Sequence, residues 1–457
     1  MSRIFEFTFP YRLVRKYMLF AYDQFYDEII VRGRENLPSD DSAIIFAPNH
    51  LNALMDALAV SYVMPPRKAV IYLARADFFT KKTIADVLHF AKILPVFRMR
   101  DGFDKLDKNN KTFYECIDVL RFGHAVCIMP EGGQGEEHRV RPLSKGIFRI
   151  ALDAQLEFGT ERKVKIIPFG IDMEDLIACG KHLIINIGKP IDVQDYITDY
   201  QTNPPTVVNE MKRVFHQRLS DLTLDLATSE NYVPFETISE IMGYEYSEPA
   251  PKENRTFEQF KLKQKAAKTL VEIEKSSPEM MNELKQLGTD YNTKIKKLHF
   301  QSNVFSQLKS EDTSFLRFLS LLLTLPFFVF GFLTNILPSL LTIKIRKALK
   351  IEYSGFFSSV HLGVGMLLFP LFYALQGVLF HLLLSPNWFI TLSFMLMEFF
   401  SFKFSLKWHT NLVQYLQKVK FNSLLVAEVE QSSMLYKLIE LRNKIVYRMN
   451  TKNKGNL

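Results

Sequence analysis

Short runs of β-branched and aromatic residues alternate with polar-apolar segments of helical length between residues 28 and about 230. The runs are "EIIVRG", "SAIIFA", "AVIYLA", "KILPVF", "HAVCIM", "VKIIPFGI" and "HLIINIGKPI". Most are separated by stretches long enough for a helix: 52–63, 80–91, 105–122 and 145–158. Parallel strands need a crossover, so this alternation predicts an α/β fold, a largely parallel sheet flanked by helices. Such sheets carry their reactive loops at the carboxyl ends of the strands. Asn49-His50, Arg98 and Pro130-Glu131 each follow directly on a predicted strand.

The pattern changes on either side of this region. Residues 1–27 read as an aromatic-rich basic amphipathic helix, which fits either a membrane surface or packing on its own domain. Residues 203–312 are polar and mostly helical, with "SEPAPKENRT" as a linker. Residues 318–343 carry no charge, and 355–397 carry none apart from two histidines. A membrane crossing needs about 20 apolar residues. The expected organisation is therefore a surface helix at 1–27, an α/β domain at 28–230 and a helical linker at 231–312. Membrane segments follow within 313–403, and a C-terminal amphipathic helix occupies 404–457.

The charges constrain orientation. Lys344, Arg346, Lys347 and Lys350 fill one loop, and Lys403, Lys407, Lys418 and Lys420 follow the last apolar stretch, while "LLSPNW" is uncharged. Basic loops stay cytoplasmic, whereas three crossings would place one of these two outside. The expected arrangement makes 318–343, with Pro326, Gly331 and Pro338, a re-entrant or interfacial hairpin, with a span as its alternative, and makes 359–383 and 386–402 spans. An integral membrane protein with its catalytic part on the cytoplasmic side results.

Composition adds three exclusions. The net charge of +8 could serve nucleic acid or an anionic membrane, and beside these apolar segments the bilayer is the expected partner, with no nucleic acid. Three cysteines without metal spacing give neither a disulfide framework nor a metal site. Charged and apolar residues interleave over the first 29 positions, so no cleavable signal is expected there.

Candidate chemistry begins with "FAPNHLNALMDALAV", where Asp56 lies in an apolar segment and needs a partner. His50 is the nearest titratable group. On one helix the two would face apart, so they meet only if His50 sits in the preceding loop. An imidazole held by a carboxylate is a general base for a hydroxyl proton; a structural histidine and a helix-N-terminal acid fit the same spacing. In "ILPVFRMRDG", Arg98 and Arg100 share a face if the strand continues, and either bind phosphate oxygens or are solvated surface residues. In "CIMPEGGQGEEHRVRPLSKG", Glu131-Gly132-Gly133 makes a turn whose backbone can approach an anion. "VKIIPFGID" is a strand with Pro168 near its end, suited to core or tunnel wall.

These four blocks, in this order, resemble the glycerolipid acyltransferase family, the glycerol-3-phosphate and 1-acylglycerol-3-phosphate acyltransferases with a PlsC-like domain, over roughly residues 30–230. The resemblance implies that His50 is the catalytic base and Asp56 its partner. It implies that Arg98 binds the acceptor's phosphate, that Glu131 and Gly132 help bind the glycerol phosphate, and that Pro168 belongs to the acyl-binding block; Arg100 stays a substrate-binding candidate on its spacing from Arg98. Two features depart from the family pattern. Five residues separate His50 from Asp56, one more than usual, as in yeast-type glycerol-3-phosphate acyltransferases. Gly133-Gln134 replaces the customary Thr-Arg, which shifts phosphate contact towards Arg139 or Arg141. Lys145-Gly146 resembles the Lys-Gly that often follows the third block.

The implied reaction moves a fatty acyl group from an acyl thioester to a hydroxyl of glycerol 3-phosphate or lysophosphatidate in phospholipid synthesis, with dihydroxyacetone phosphate a further acceptor. The donor is acyl-CoA or acyl carrier protein, and no cofactor or metal is required. No G-x-S-x-G elbow is present, in keeping with direct transfer. The alternatives are a thioesterase or lipid hydrolase, with water as acceptor, and a catalytically silent membrane scaffold on the same fold.

Overall fold

The computed structural model describes residues 4–66, 68–97, 109–228, 230–246, 254–308, 314–427 and 429–454. They form two compact units. The first comprises the chain up to Thr223 together with Lys344–Met366, and the second Leu224–Ile343 with the residues from Leu367 onward.

The first unit is built on eight strands: β1 (Glu28–Arg32), β2 (Ala43–Pro48), β3 (Val70–Arg75), β4 (Ile93–Val96), β5 (Ala125–Cys127), β6 (Val164–Met173), β7 (His182–Ile187) and β8 (Ile191–Asp192). Their order is β1-β7-β6-β2-β5-β3-β4, with β8 beside β6. All pairings are parallel except β6 with β7 and with β8. The expected run 182–191 therefore splits in two at Gly188-Lys189-Pro190. The helices are α1 (Phe9–Phe25), α2 (Ala53–Val63), α3 (Lys82–Phe90), α4 (Asn109–Arg121), α5 (Gly146–Phe158), α6 (Ile197–Thr202) and α7 (Pro204–Ser220).

Both sheet faces are covered, which is why the strands are apolar throughout rather than alternating. Ala43, Ile45 and Ala47 of β2 join a core with Val119, Ile147 and Phe215 from α4, α5 and α7. Ile44 and Phe46 point the other way, against Met55 and Ala59 of α2 and Tyr22 and Phe25 of α1. Helix α1 thus packs on its own unit through one face. Arg15 on it donates to the carbonyls of Ser61 and Met64 at the end of α2, where a cation suits the helix dipole. The same helix leaves Phe9, Leu13 and Phe20 exposed.

The second unit is helical: α8 (Tyr232–Tyr246), α9 (Arg255–Ser276), α10 (Pro278–Lys297), α11 (Val304–Leu308), α12 (Ser314–Ala348), α13 (Phe357–Leu383), α14 (Trp388–Val426) and α15 (Glu430–Lys454), with parts of α12 and α13 belonging to the first unit. Part of "SEPAPKENRT" lies outside the described residues. Among the described residues three helices are long and apolar enough to cross a membrane, Phe315–Ala348, Ser354–Leu383 and Trp388–Val426. The chain is an integral membrane protein.

Of the two forms expected for 318–343, hairpin or span, the chain takes a single helix, α12, unbroken at Pro326 and Pro338. A proline inside a helix frees the carbonyl four residues earlier. For Pro338 that is the Thr334 carbonyl, and Gln376 Nε2 of α13 donates to it at 3.0 Å. Neighbouring helices can satisfy such freed groups in lipid, which removes the reason to break. One boundary moves: α14 runs unbroken through residue 403, so the last span and the start of the C-terminal helix are one element.

Candidate active site

Strand β2 ends on Pro48, and the next two residues do different work. The Asn49 side chain continues the ladder in place of a peptide group: its Nδ2 donates to the Ile171 carbonyl at 2.9 Å, and its Oδ1 accepts from the Ile171 N–H at 2.7 Å. The main chain is released to turn away, carrying His50 to the carboxyl end of the sheet.

His50 and Asp56 meet as the spacing requires. His50 Nδ1 lies 2.8 Å from Asp56 Oδ2, with the histidine side chain 17% exposed and the aspartate fully buried. The same oxygen accepts the backbone N–H groups of Leu51 at 2.9 Å and Asn52 at 2.7 Å. An acceptor so placed fixes Nδ1 as the proton-bearing nitrogen, leaving the Nε2 lone pair as the basic site. Five intervening residues are accommodated by an unusual backbone: Asn52 caps α2 at φ −148° and ψ 75°, and Ala53 takes φ +23°. A non-glycine residue held there stores strain of about 1–3 kcal/mol, of the kind found at functional sites.

Strand β5 neighbours β2, so the loop that follows it wraps the His50 turn. Gln134, which stands where the family has arginine, accepts the Ala53 N–H at 3.1 Å. Gly135 N–H donates to the His50 carbonyl at 3.3 Å. Gly132 takes φ 65°, the turn conformation its lack of a side chain permits. The Glu131 side chain is buried and accepts from Arg141 Nε and Nη2, both at 2.7 Å. Arg141 Nη2 also donates to the His50 carbonyl. Burial pushes the Glu131 carboxyl up to about 7, against the opposing pull of Arg141. The arginine is thereby a brace between the two loops, a role invisible in the sequence beyond the replaced Thr-Arg.

Other expected residues fall differently. Pro168 is buried within β6, opposite Ala47, where the partner of β6 changes from β8 to β7. The missing N–H of proline is harmless at that break. Arg139 pairs with Glu137 at 2.9 Å near the surface, and Lys145 caps α5. Arg98 and Arg100 lie outside the described residues. Cys127, beneath the pair, is fully buried, and burial together with the Asp56 charge pushes its thiol up, which unsuits it to nucleophilic attack. Among the described residues no three His, Cys, Asp or Glu side chains converge to hold a metal ion.

Comparison with known proteins bears on the same region. The acyltransferase family profile matches residues 28–172. The chloroplastic 1-acyl-sn-glycerol-3-phosphate acyltransferase LPAT1 of Arabidopsis thaliana is 26% identical over 169 residues, 36% of this chain and 44% of that protein. The chloroplastic 1-acyl-sn-glycerol-3-phosphate acyltransferase BAT2 of Brassica napus is 25% identical over 26% of this chain and 33% of its own length. Glycerol-3-phosphate O-acyltransferase 2 of Saccharomyces cerevisiae is 24% identical over 323 residues, 67% of this chain and 40% of that protein. The chain therefore spans less than half the length of these relatives. A solved structure, the 1-acyl-sn-glycerophosphate acyltransferase PlsC from Thermotoga maritima, aligns at 18% identity and a TM-score of 0.33, over 46% of this chain and 79% of that one.

Proposed function

We propose that residues 28–172, which match the acyltransferase family profile, form a glycerolipid acyltransferase domain of the PlsC type, and that this protein transfers a fatty acyl group from acyl-CoA or acyl carrier protein to a hydroxyl of glycerol 3-phosphate or lysophosphatidate. The observation that carries this reading is the His50–Asp56 pair at 2.8 Å, on the turn after β2. His50 Nε2 takes the hydroxyl proton as that oxygen attacks the thioester carbonyl; the tetrahedral intermediate collapses, the thiolate leaves, and the imidazolium returns the proton to it. Asp56 stabilises the imidazolium and keeps the ring oriented. Arg98 anchors the acceptor's phosphate, as the resemblance implies, with Arg100 a second substrate-binding candidate, and Glu131 and Gly132 help bind the glycerol phosphate. Pro168, inside β6, supports the acyl-binding wall. Holding hydroxyl and carbonyl together in this way is worth about 7–11 kcal/mol in favourable cases.

The test is acyl transfer by the purified full chain in vesicles, with each acceptor in turn, for the wild type and Arg98→Ala. Acylated product from a phosphate-bearing acceptor, with KM for that acceptor raised in the variant, supports the reading. Equal thioester hydrolysis by both proteins, with no acylated product, sets it aside in favour of a hydrolase.

The catalytic unit, the basic loop Lys344–Lys350 and the tail beyond Lys403 are proposed to share the cytoplasmic face, with α13 and α14 as the crossing pair, α12 lying at the interface without crossing, and the short 384–387 turn on the far side. Topology reporters at residues 350 and 386 and at the C-terminus check this. Residue 350 and the C-terminus are expected on one side and 386 on the other; opposite sides for 350 and the C-terminus would mean that α13 and α14 do not both cross.

A further inference from the structure

The turn that carries His50 is held from a part of the chain far outside the matched domain. Asn52, whose N–H is one of the donors on Asp56 Oδ2, is fully buried. Its side-chain amide is stretched between two anchors. Nδ2 donates to the Leu176 carbonyl at 2.7 Å and to Ser358 Oγ at 2.6 Å, and Oδ1 accepts from Ser359 Oγ at 3.2 Å. Ser359 Oγ in turn accepts the Leu54 N–H at 3.2 Å. One hydroxyl thus donates once and accepts once, and every polar atom of the Asn52 amide is satisfied. Ser358 and Ser359 stand in the first turn of α13, more than 180 residues beyond the matched stretch that ends at 172.

Residues 354–359 form a strap that grips the neighbouring loop as well. Ser354 N–H and Oγ both donate to Glu136 Oε1, at 3.1 and 2.5 Å, five residues after Glu131. Between the two grips the strap passes so close to the His50 turn that a Cβ at Gly355 would lie 2.9 Å from the Leu51 carbonyl and 2.4 Å from the Tyr353 ring. Only glycine permits that approach. The strap therefore closes on a segment whose backbone is itself unusual, Asn52 and Ala53.

We infer that Ser358 and Ser359 are positioning residues of the active site: through Asn52 they hold the turn that aims Asp56 at His50, so the start of an apolar helix is part of the catalytic machinery. Their catalytic consequence rests on the transfer reaction proposed above; the contact itself does not. A hydroxyl pair acting through Asn52 affects the chemical step and not substrate affinity, and a small displacement remote from the reacting atoms can cost up to roughly 100-fold.

The experiment compares Ser359→Ala, Ser359→Thr and the double variant Ser358→Ala/Ser359→Ala with wild type, all as full chains in vesicles. It reads kcat, KM for each substrate, melting temperature, and amide hydrogen exchange of a peptide covering 46–60. The expected result is a kcat lowered roughly tenfold to 100-fold in the double variant, unchanged KM values, partial loss in Ser359→Ala that Ser359→Thr restores, and faster exchange at Leu51–Asp56 wherever the hydroxyl is missing. Unchanged kcat, a change in KM alone, or threonine as damaging as alanine would overturn it. If the double variant does not fold, the alanine–threonine pair at 359 decides by the same criteria. Should the wild type transfer nothing, the functional reading fails, and exchange alone judges the strap: faster in Ser359→Ala than in Ser359→Thr upholds the contact, and equal rates remove it.

Discussion

With alanine in place of His50, acyl transfer falls by about 10²–10⁴-fold, the range supplied by a positioned general base, while the melting temperature hardly moves. The separation of activity from stability follows from what Asp56 retains. Two of the three donors on Asp56 Oδ2 are the backbone N–H groups of Leu51 and Asn52, and neither depends on the imidazole. The carboxyl group therefore keeps its place in the fold when the ring is deleted. The imidazole itself is partly open to solvent, so its removal leaves no sealed cavity of the kind that destabilises a core. Steady-state transfer and a thermal melt on the same preparation check both halves. A large loss of activity accompanied by a comparable loss of stability would mean that His50 holds the turn together rather than acting on substrate.

The second large effect is on stability. Arg141→Ala removes the partner of a glutamate with a buried side chain, a change that costs about 3–5 kcal/mol where the charge is left uncompensated. The cost depends on pH in a definite direction. The Glu131 carboxyl is raised from its usual 4.5 to about 7 in the folded protein. Between those values the folded state holds a proton that the unfolded state has released, so this group's contribution to stability falls as pH rises from about 4.5 to 7 and is level above that. Without Arg141 the main influence lowering that carboxyl is gone, its raised position moves further up, and the decline continues above 7. The penalty in Arg141→Ala is thus smallest in acid, where Glu131 is neutral, and largest in alkali. Denaturant unfolding of the two proteins at pH 5 and pH 8 measures it. Adding Glu131→Gln to Arg141→Ala is expected to recover much of the loss at pH 8 and little at pH 5. Equal penalties at both pH values would show that Arg141 acts through the His50 carbonyl alone.

What was legible in the sequence divides along physical lines. Strands such as "SAIIFA" and "AVIYLA" declare themselves because both faces of a parallel sheet are buried, so β-branched residues run without alternation. The His50–Asp56 pairing was legible because an acid in an apolar segment must have a partner, and only a loop position brings the ring to it. The Asn49 clamp, the Gln134 contact with Ala53 and the Arg141 brace were not, since each joins residues brought together by the adjacency of β2 with β5 and β6. Proline left 318–343 open between hairpin and span, since local chemistry favours a break and a glutamine 38 residues beyond Pro338, Gln376, repairs the helix from outside. The strap of Ser354, Ser358 and Ser359 lies in a stretch whose composition signals only lipid, and nothing in "YSGFFSSV" marks its serines as partners of the His50 turn.

The central claim is that the acyl group goes to a phosphate-bearing acceptor hydroxyl, activated by His50. The measurement that tests it most directly is thiol release from acyl-CoA by the reconstituted full chain, followed together with lipid product, with and without acceptor and with His50→Ala alongside. The account predicts that thiol appears only when glycerol 3-phosphate or lysophosphatidate is present, in equal amount to the acylated product, and that both disappear in the variant. Thiol released without acceptor, matched by free fatty acid and unaffected by the loss of His50, would contradict it.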